Sequence, residues 1–476
     1  MRFQNPVVGH RTRRSAFTLI EMLVTITVTL VIMLALVTVF EWIGQRVALG
    51  RASIEVSGEL RSASLRLQSD LDNLTVPVRP FTRVEQGSGY FHYREGAGWD
   101  GTKTIDGDTD DVLAFTSRND VEHFTGKYTF PGVGTFRVTS PEAELMWWPQ
   151  YVDLNDDGAL TPDETMIRML HRRVLVIRPD LNPAAGGPWF TLPTAFNAGM
   201  TQYNTSNQGD LQTLAMHLRM LYNEFDVSVR LVRVPNGSNL TVQVYANSLS
   251  DLTRPENRFL RHPMVFRIGN NYSLAPPPSL PYAIDTNANS QTRLEVIPLN
   301  GSRRGEDVIL SSILAFDVRA FDPTALVAGP SGLSLVPSDN GWTPNIAVAS
   351  PIGRGGFVDL NYSRQHTAVW NVNANSRFSG APQSKSGITA AEQPFYDTWS
   401  FHFEQNGAND NGVGAFDEGT NGLDDDGTNG TDDPGERETS PPYPIPLRGL
   451  QTMLRVYEPD TRQVRQSTVQ SEFVPE

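Results

Sequence analysis

Nineteen consecutive residues without a charge, Met22 to Phe40 (MLVTITVTLVIMLALVTVF), constrain this chain more than any other feature. As a helix rising ~1.5 Å per residue they would span roughly 28 Å, close to the hydrocarbon thickness of a bilayer. A helix buried in a soluble core should show a polar stripe at a period of 3.6. Here only Thr25, Thr27, Thr29 and Thr38 interrupt the apolar surface, and a threonine hydroxyl can bond a carbonyl of its own helix. Arg2, His10, Arg11, Arg13 and Arg14 precede the run, with Glu21 at its border the one acid before it, so the positive-inside rule keeps the N-terminus cytoplasmic and sends the bulk of the chain outward. A cleaved secretory signal is excluded on length and on its end. Such a signal has an apolar region of about 7–15 residues and a small-residue cut site, whereas this run ends Phe40-Glu41-Trp42-Ile43.

Glu21 breaks the plain anchor. A lone carboxylate at the start of an apolar run costs a few kcal/mol unless it is paired or reaches the interface, so it needs a partner. The surrounding residues, Arg13-Arg14-Ser15-Ala16-Phe17-Thr18-Leu19-Ile20-Glu21-Met22-Leu23-Val24, resemble the cleavage and methylation site of type IV prepilins and type II secretion pseudopilins. The resemblance implies a cut by prepilin peptidase/methyltransferase between Ala16 and Phe17, N-methylation of Phe17, and an assembly role for Glu21, paired with the freed amine of a neighbouring pilin-like subunit. Ala16 departs from the glycine that the family usually places before the cut.

Composition bounds the remainder. The absence of cysteine removes disulfides, thiolate zinc and iron–sulfur sites. A net charge of −14 with no basic stripe beyond the leader argues against a nucleic-acid partner. Up to residue 76 there is no proline after Pro6, and Val56, Leu60, Leu67, Leu71 and Leu74 form one apolar stripe opposite Arg51, Glu55, Glu59, Arg61 and Arg66, which predicts an amphipathic helix. After Pro77 the runs 112–116, 144–148, 171–177, 227–234, 241–245, 313–319, 453–457 and 464–469 are rich in β-branched and aromatic residues, and a short helix is expected over 210–222. Stretches at about 180–300 and 322–395 are dense in Pro, Asn, Ser and Gly and read as long loop insertions. No repeat of fixed period stands out.

Two acidic stretches suggest metal. In the first, Asp153, Asn155, Asp157, the carbonyl of Ala159 and Glu164 fall at positions 1, 3, 5, 7 and 12 of a calcium loop, with Gly158 at the turn. The flanking sequence looks like strands, so the expected role is a structural calcium clip. The second runs from Gly407 to Glu436 with no basic residue, and Asp424, Asp426 and Asp432 are its candidate ligands. No G-x-S-x-G, H-E-x-x-H or phosphate-binding glycine loop occurs, so no enzymatic activity is expected.

The expected fold class is α+β: a long N-terminal transmembrane helix continuing into an amphipathic helix packed on an antiparallel β-sheet domain with long loop insertions, as in pilin-like folds. The expected divisions are a basic leader 1–16, a membrane helix 17–43, an amphipathic helix 44–76 and an extracytoplasmic domain 77–476 with its acidic loop at 407–436. The resemblance implies a single-pass inner-membrane protein with its bulk periplasmic, assembled as a minor or tip subunit of a type II secretion pseudopilus or type IV pilus. The strands VLAFTSR and ILAFDVR and the terminal segment PLRGLQTMLRVYEPD resemble the J-type minor pseudopilin in particular. A membrane-anchored adhesin or calcium-dependent binding module, exported by the same route, is the alternative.

Overall fold

The computed structural model describes residues 18–96, 111–130, 134–151, 168–182, 202–204, 207–236, 239–261, 267–268, 271–272, 299, 301–339, 341–362, 378, 394–459 and 461–473. Two compact units divide the chain, Met1–Ser57 with Glu458–Arg462, and Gly58–Tyr457 with Gln463–Glu476.

One helix, α1 (Leu19–Asp72), covers both segments that the sequence predicts to be helical. Its first part is held by backbone bonds, and the four threonine hydroxyls of the apolar run are satisfied within it. Thr25, Thr27, Thr29 and Thr38 each donate to the carbonyl four residues earlier, at 2.7–3.0 Å. No hydroxyl therefore interrupts the apolar surface with an unmet bond. In the second unit Leu60, Ala63, Leu67 and Leu71 are buried at intervals of three and four, while Glu59, Arg61 and Arg66 are exposed. The stripe expected from the sequence is thus the packed face. Leu74 lies past the helix end, in a bridge to Ser117.

The sheet of the second unit has nine strands: β1 (Phe91–Arg94), β2 (Val112–Arg118), β3 (Glu142–Tyr151), β4 (Arg168–Val176), β5 (Val308–Ala328), β6 (Pro351–Val358), β7 (Phe395–Asp397), β8 (Gly449–Glu458) and β9 (Gln463–Glu472). The spatial order is β7-β1-β2-β3-β4-β5-β8-β9, with β6 also on β5. Every pairing with a described register is antiparallel. An α+β architecture follows, with the long helix first and the antiparallel sheet after. The strand expected at 313–319 is only the middle of the 21-residue β5, whose register shifts next to Pro323 and elsewhere accompany its pairing with three neighbours, β4, β6 and β8.

Both faces of this sheet are covered. Trp147 donates its ring N–H to Asp70 of α1 at 3.0 Å, which places the odd-numbered side chains of β3 on the helix side. Alternation sends Met146 and Trp148 to the other face. There they join a core with Leu214, Leu221 and Tyr222 of α2 (Gln208–Glu224), and with Phe225, Val229 and Val244. A three-stranded sheet of Gln202–Asn204, Asn239–Ala246 and Val229–Asn236 accompanies α2. The stretch 180–300 therefore contains a second packing layer between its irregular segments. Likewise 322–395 contains the end of β5, all of β6 and the short helix Pro344–Ala349.

Candidate processing site and acidic loops

Ala16 and Phe17 lie outside the described residues; the account begins at Thr18. Thr18 precedes the first helical residue, and Glu21 is the third residue of the helix. The Glu21 carboxylate accepts from the Thr18 N–H at 2.9 Å and from the Thr18 hydroxyl at 3.1 Å, while the Thr18 hydroxyl oxygen accepts from the Glu21 N–H at 3.3 Å. This is a reciprocal capping box, in which both residues satisfy donors left over at a helix start. Thr18 thus supplies locally one partner for a carboxylate that borders the apolar run. Both bonds to the carboxylate fall on Oε2.

Described side chains from Thr18 to Val47 are all exposed, including Leu23, Val31, Leu34, Phe40 and Trp42. Over this helix the most apolar window has a mean hydropathy of 2.7 and none of it is buried. A continuous apolar surface of this length requires lipid or another protein around it.

The acidic region 407–436 is fully described, and it bears on two expectations. First, a repeat is present. Asn406-Gly407 to Glu418 aligns with Asn421-Gly422 to Asp433 at an offset of fifteen residues, with Asp410, Gly412 and Asp417 matched by Asp425, Gly427 and Asp432. The backbone repeats with it: Gly407 and Gly422 have φ of 71° and 82°, and Asp417 and Asp432 both have φ of 54°, a left-handed conformation that aspartate tolerates better than most residues. The bonds repeat as well. Asp417 accepts from the Gly407 N–H at 3.1 Å and Asp432 from the Gly422 N–H at 2.9 Å. Asn406 donates to Asp410 at 2.8 Å and Asn421 to Asp425 at 2.6 Å. Acids and amides exchange within the repeat, Asn409 and Asn411 standing where the second loop has Asp424 and Asp426, so residue identity alone does not display it.

Second, Asp432 stands apart from the other two acids of the expected ligand set. It closes the turn at Gly422, whereas the oxygens that lie within 4.8 Å of one another belong to Asp424, Asp426 and Glu436. Glu436 also accepts from the N–H of Asp425. Glu438 does the same for the first loop, accepting from the Asp410 N–H at 2.8 Å. Buried Glu404 supports Glu438, its carboxylate accepting from the N–H groups of Glu438 and Thr439 at 2.9 and 3.0 Å. Burial, reinforced by the neighbouring Glu404 charge, pushes the carboxyls of Asp410 and Glu438 above the usual carboxylate range. The expected calcium ligands Asp153, Asn155, Asp157, Ala159 and Glu164 lie outside the described residues.

Buried polar clusters elsewhere bind the fold together. Asp397 accepts from Arg258 at 2.7 Å and pairs with His92 at 2.9 Å. Glu144 takes the Tyr90 hydroxyl at 2.7 Å, the Ser228 hydroxyl at 2.6 Å and the Phe259 N–H at 2.9 Å. Asp111 is buried and accepts from the N–H groups of Gly96 and Val318 at 2.8 and 2.6 Å.

An uncovered apolar helix opened by Thr18 and Glu21, leading to an antiparallel sheet with helices on its faces, defines a membrane-anchored single-pass protein of pilin-like α+β architecture. The family model of the prokaryotic N-terminal methylation motif matches residues 11–37, which supports a type IV prepilin-like N-terminal segment. That motif implies processing by prepilin peptidase and assembly with pilin-like subunits. No curated protein and no solved structure matches the chain.

Proposed function

We propose that the chain is cut between Ala16 and Phe17, methylated at Phe17, and assembled through its apolar helix as a minor or tip subunit of a type II secretion pseudopilus or type IV pilus. The observation that carries this reading is the methylation motif at residues 11–37 joined to a helix whose side chains are exposed from Leu19 to Val47. In lipid those side chains are solvated by acyl chains; in a filament the same surface packs against other subunits.

Glu21 provides register. With Oε2 engaged by Thr18, Oε1 remains able to take the protonated amine of a neighbouring subunit. The basic leader sets the N-terminus in the cytoplasm and the domain from residue 77 in the periplasm. A domain of that size would crowd a close helical lattice, which favours a minor or tip position, and the strand motifs similar to the J-type pseudopilin point the same way. Replacing Glu21 by Val is expected to leave membrane insertion intact and to reduce recovery in sheared filaments or in co-purification with other pilin-like subunits. Undiminished incorporation would contradict the proposal.

A further inference from the structure

We propose that a cavity beside the strand pair Phe124–Phe130 and Gly134–Ser140 binds the carboxylate or phosphate group of a small molecule, held by Lys127 and Arg137 together with Arg173 and Arg303. This inference does not rest on the prepilin reading.

The cavity, of about 470 Å³, lies within the second unit and has a size that suits a small molecule. One wall is the strand pair, whose antiparallel register sets Lys127 directly opposite Arg137, and both residues line the cavity. Residues directly opposite share a face of the pair, and two like charges there repel. Asp226 fixes this wall. Its carboxylate accepts from the Lys127 N–H at 2.8 Å, and it sits so close to Gly126 that a side chain there would begin 2.7 Å from the Asp226 Cβ. The two opposed cations are thus positioned by backbone contacts and not by each other.

The neighbouring carboxylates do not neutralise the group. Asp226 is shared between Arg173 at 3.0 Å and Arg303 at 2.8 Å, and Glu306 between Lys127 at 2.6 Å and Arg303 at 2.9 Å. Asp307, the third carboxylate of the lining, pairs with His171 at 3.4 Å. Arg172 also reaches the lining but is committed to both oxygens of Asp70. Among the described residues Arg137 has no carboxylate within ion-pair distance, and Arg173, only 5% exposed, keeps its Nε buried without a hydrogen-bond partner. A buried donor lacking an acceptor is costly, and a guanidinium lacking a carboxylate is a fork shaped for an oxyanion. In a chain of net charge −14, four uncommitted or shared cations around three carboxylates make a local positive site. Val174, Leu299 and Ile309 supply its apolar part, against which the body of an organic anion can pack.

The test is calorimetric titration of the full chain in detergent at low ionic strength, with sodium phosphate and separately with sodium succinate, two arms that distinguish a phosphate from a carboxylate ligand. Saturable binding of at least one is expected, with no matching heat from sodium chloride. Arg137→Gln should weaken that binding on the order of tenfold or more. The same change removes the repulsion between Arg137 and Lys127, so the ligand-free melting temperature should hold or rise, which separates a lost ligand contact from a damaged fold. The proposal is overturned by no binding of either anion up to about 10 mM, by uptake that chloride matches, or by equal affinity in the wild type and Arg137→Gln. A ligand-free melting temperature that falls along with the affinity would assign Arg137 to the fold and overturn it as well.

Discussion

Asp70 shows how much a single side chain can fix. It lies in the last turn of α1, where the helix dipole disfavours an acid, and it is 3% exposed. Arg172 of β4 grips both its oxygens at 2.7 and 2.8 Å, and Trp147 adds a third bond. The end of the helix is thereby tied to two central strands. Asp70→Ala would strand a nearly buried guanidinium, and denaturant unfolding should show a loss of about 3 kcal/mol or more; a change within experimental error would deny it this role. Asp317 on β5 behaves differently. Burial pushes its carboxyl up to about 6, against the pull of Arg319. Between the ordinary carboxylate range and that value the folded chain holds a proton that the unfolded chain releases, so this contribution is fully present in acid and is lost as pH rises toward about 6. Melting temperatures from pH 4 to 7 should therefore fall more steeply for the wild type than for Asp317→Asn, and parallel profiles would contradict the assignment. Neither residue declares itself in the sequence, because the partners of Asp70 and Asp317 depend on strand order. Glu21 does, because an acid bordering nineteen uncharged residues is anomalous without any tertiary knowledge.

Among the elements, α1 and the terminal hairpin are the most legible, since their apolar spacing is local. The strand expected at 171–177 is found at Arg168–Val176, and the hairpin strands expected at 453–457 and 464–469 are found at Gly449–Glu458 and Gln463–Glu472. What local pattern conceals is the layer made by α2 and the strands around it. The surrounding Pro, Asn and Gly suggest loop, and nothing in the spacing of Leu214, Leu221 and Phe225 says that a sheet face waits for them. Phe225 closes α2 and meets Tyr128 edge-on at a ring separation of 4.7 Å. Phe225→Ala should cost about 3–5 kcal/mol in a single cooperative unfolding transition. A loss near zero, or separate melting of 202–261, would show that this layer is peripheral. The acidic loops make the converse point: their charge was evident, but their duplication became visible only through matching φ angles and hydrogen bonds, because Asn and Asp serve the same turn chemistry.

For the molecule as a whole, the apolar helix and the methylation motif carry more of the functional reading than the large β domain does. The domain buries its own core on both faces of the sheet and so meets its hydrophobic requirement internally. The first part of α1 does not; its apolar side chains are exposed in the isolated chain, and lipid followed by neighbouring subunits is the sequence of environments that accommodates them. In the proposed function, removal of the leader links the two, since it would free an amine for the Glu21 carboxylate of a neighbouring subunit. The most direct measurement is the mass of the N-terminal peptide of the protein isolated from its native envelope. The account predicts a chain that begins at Phe17 and carries a single added methyl group on its amine. An uncut leader, or a terminus created beyond Ile43, would contradict it.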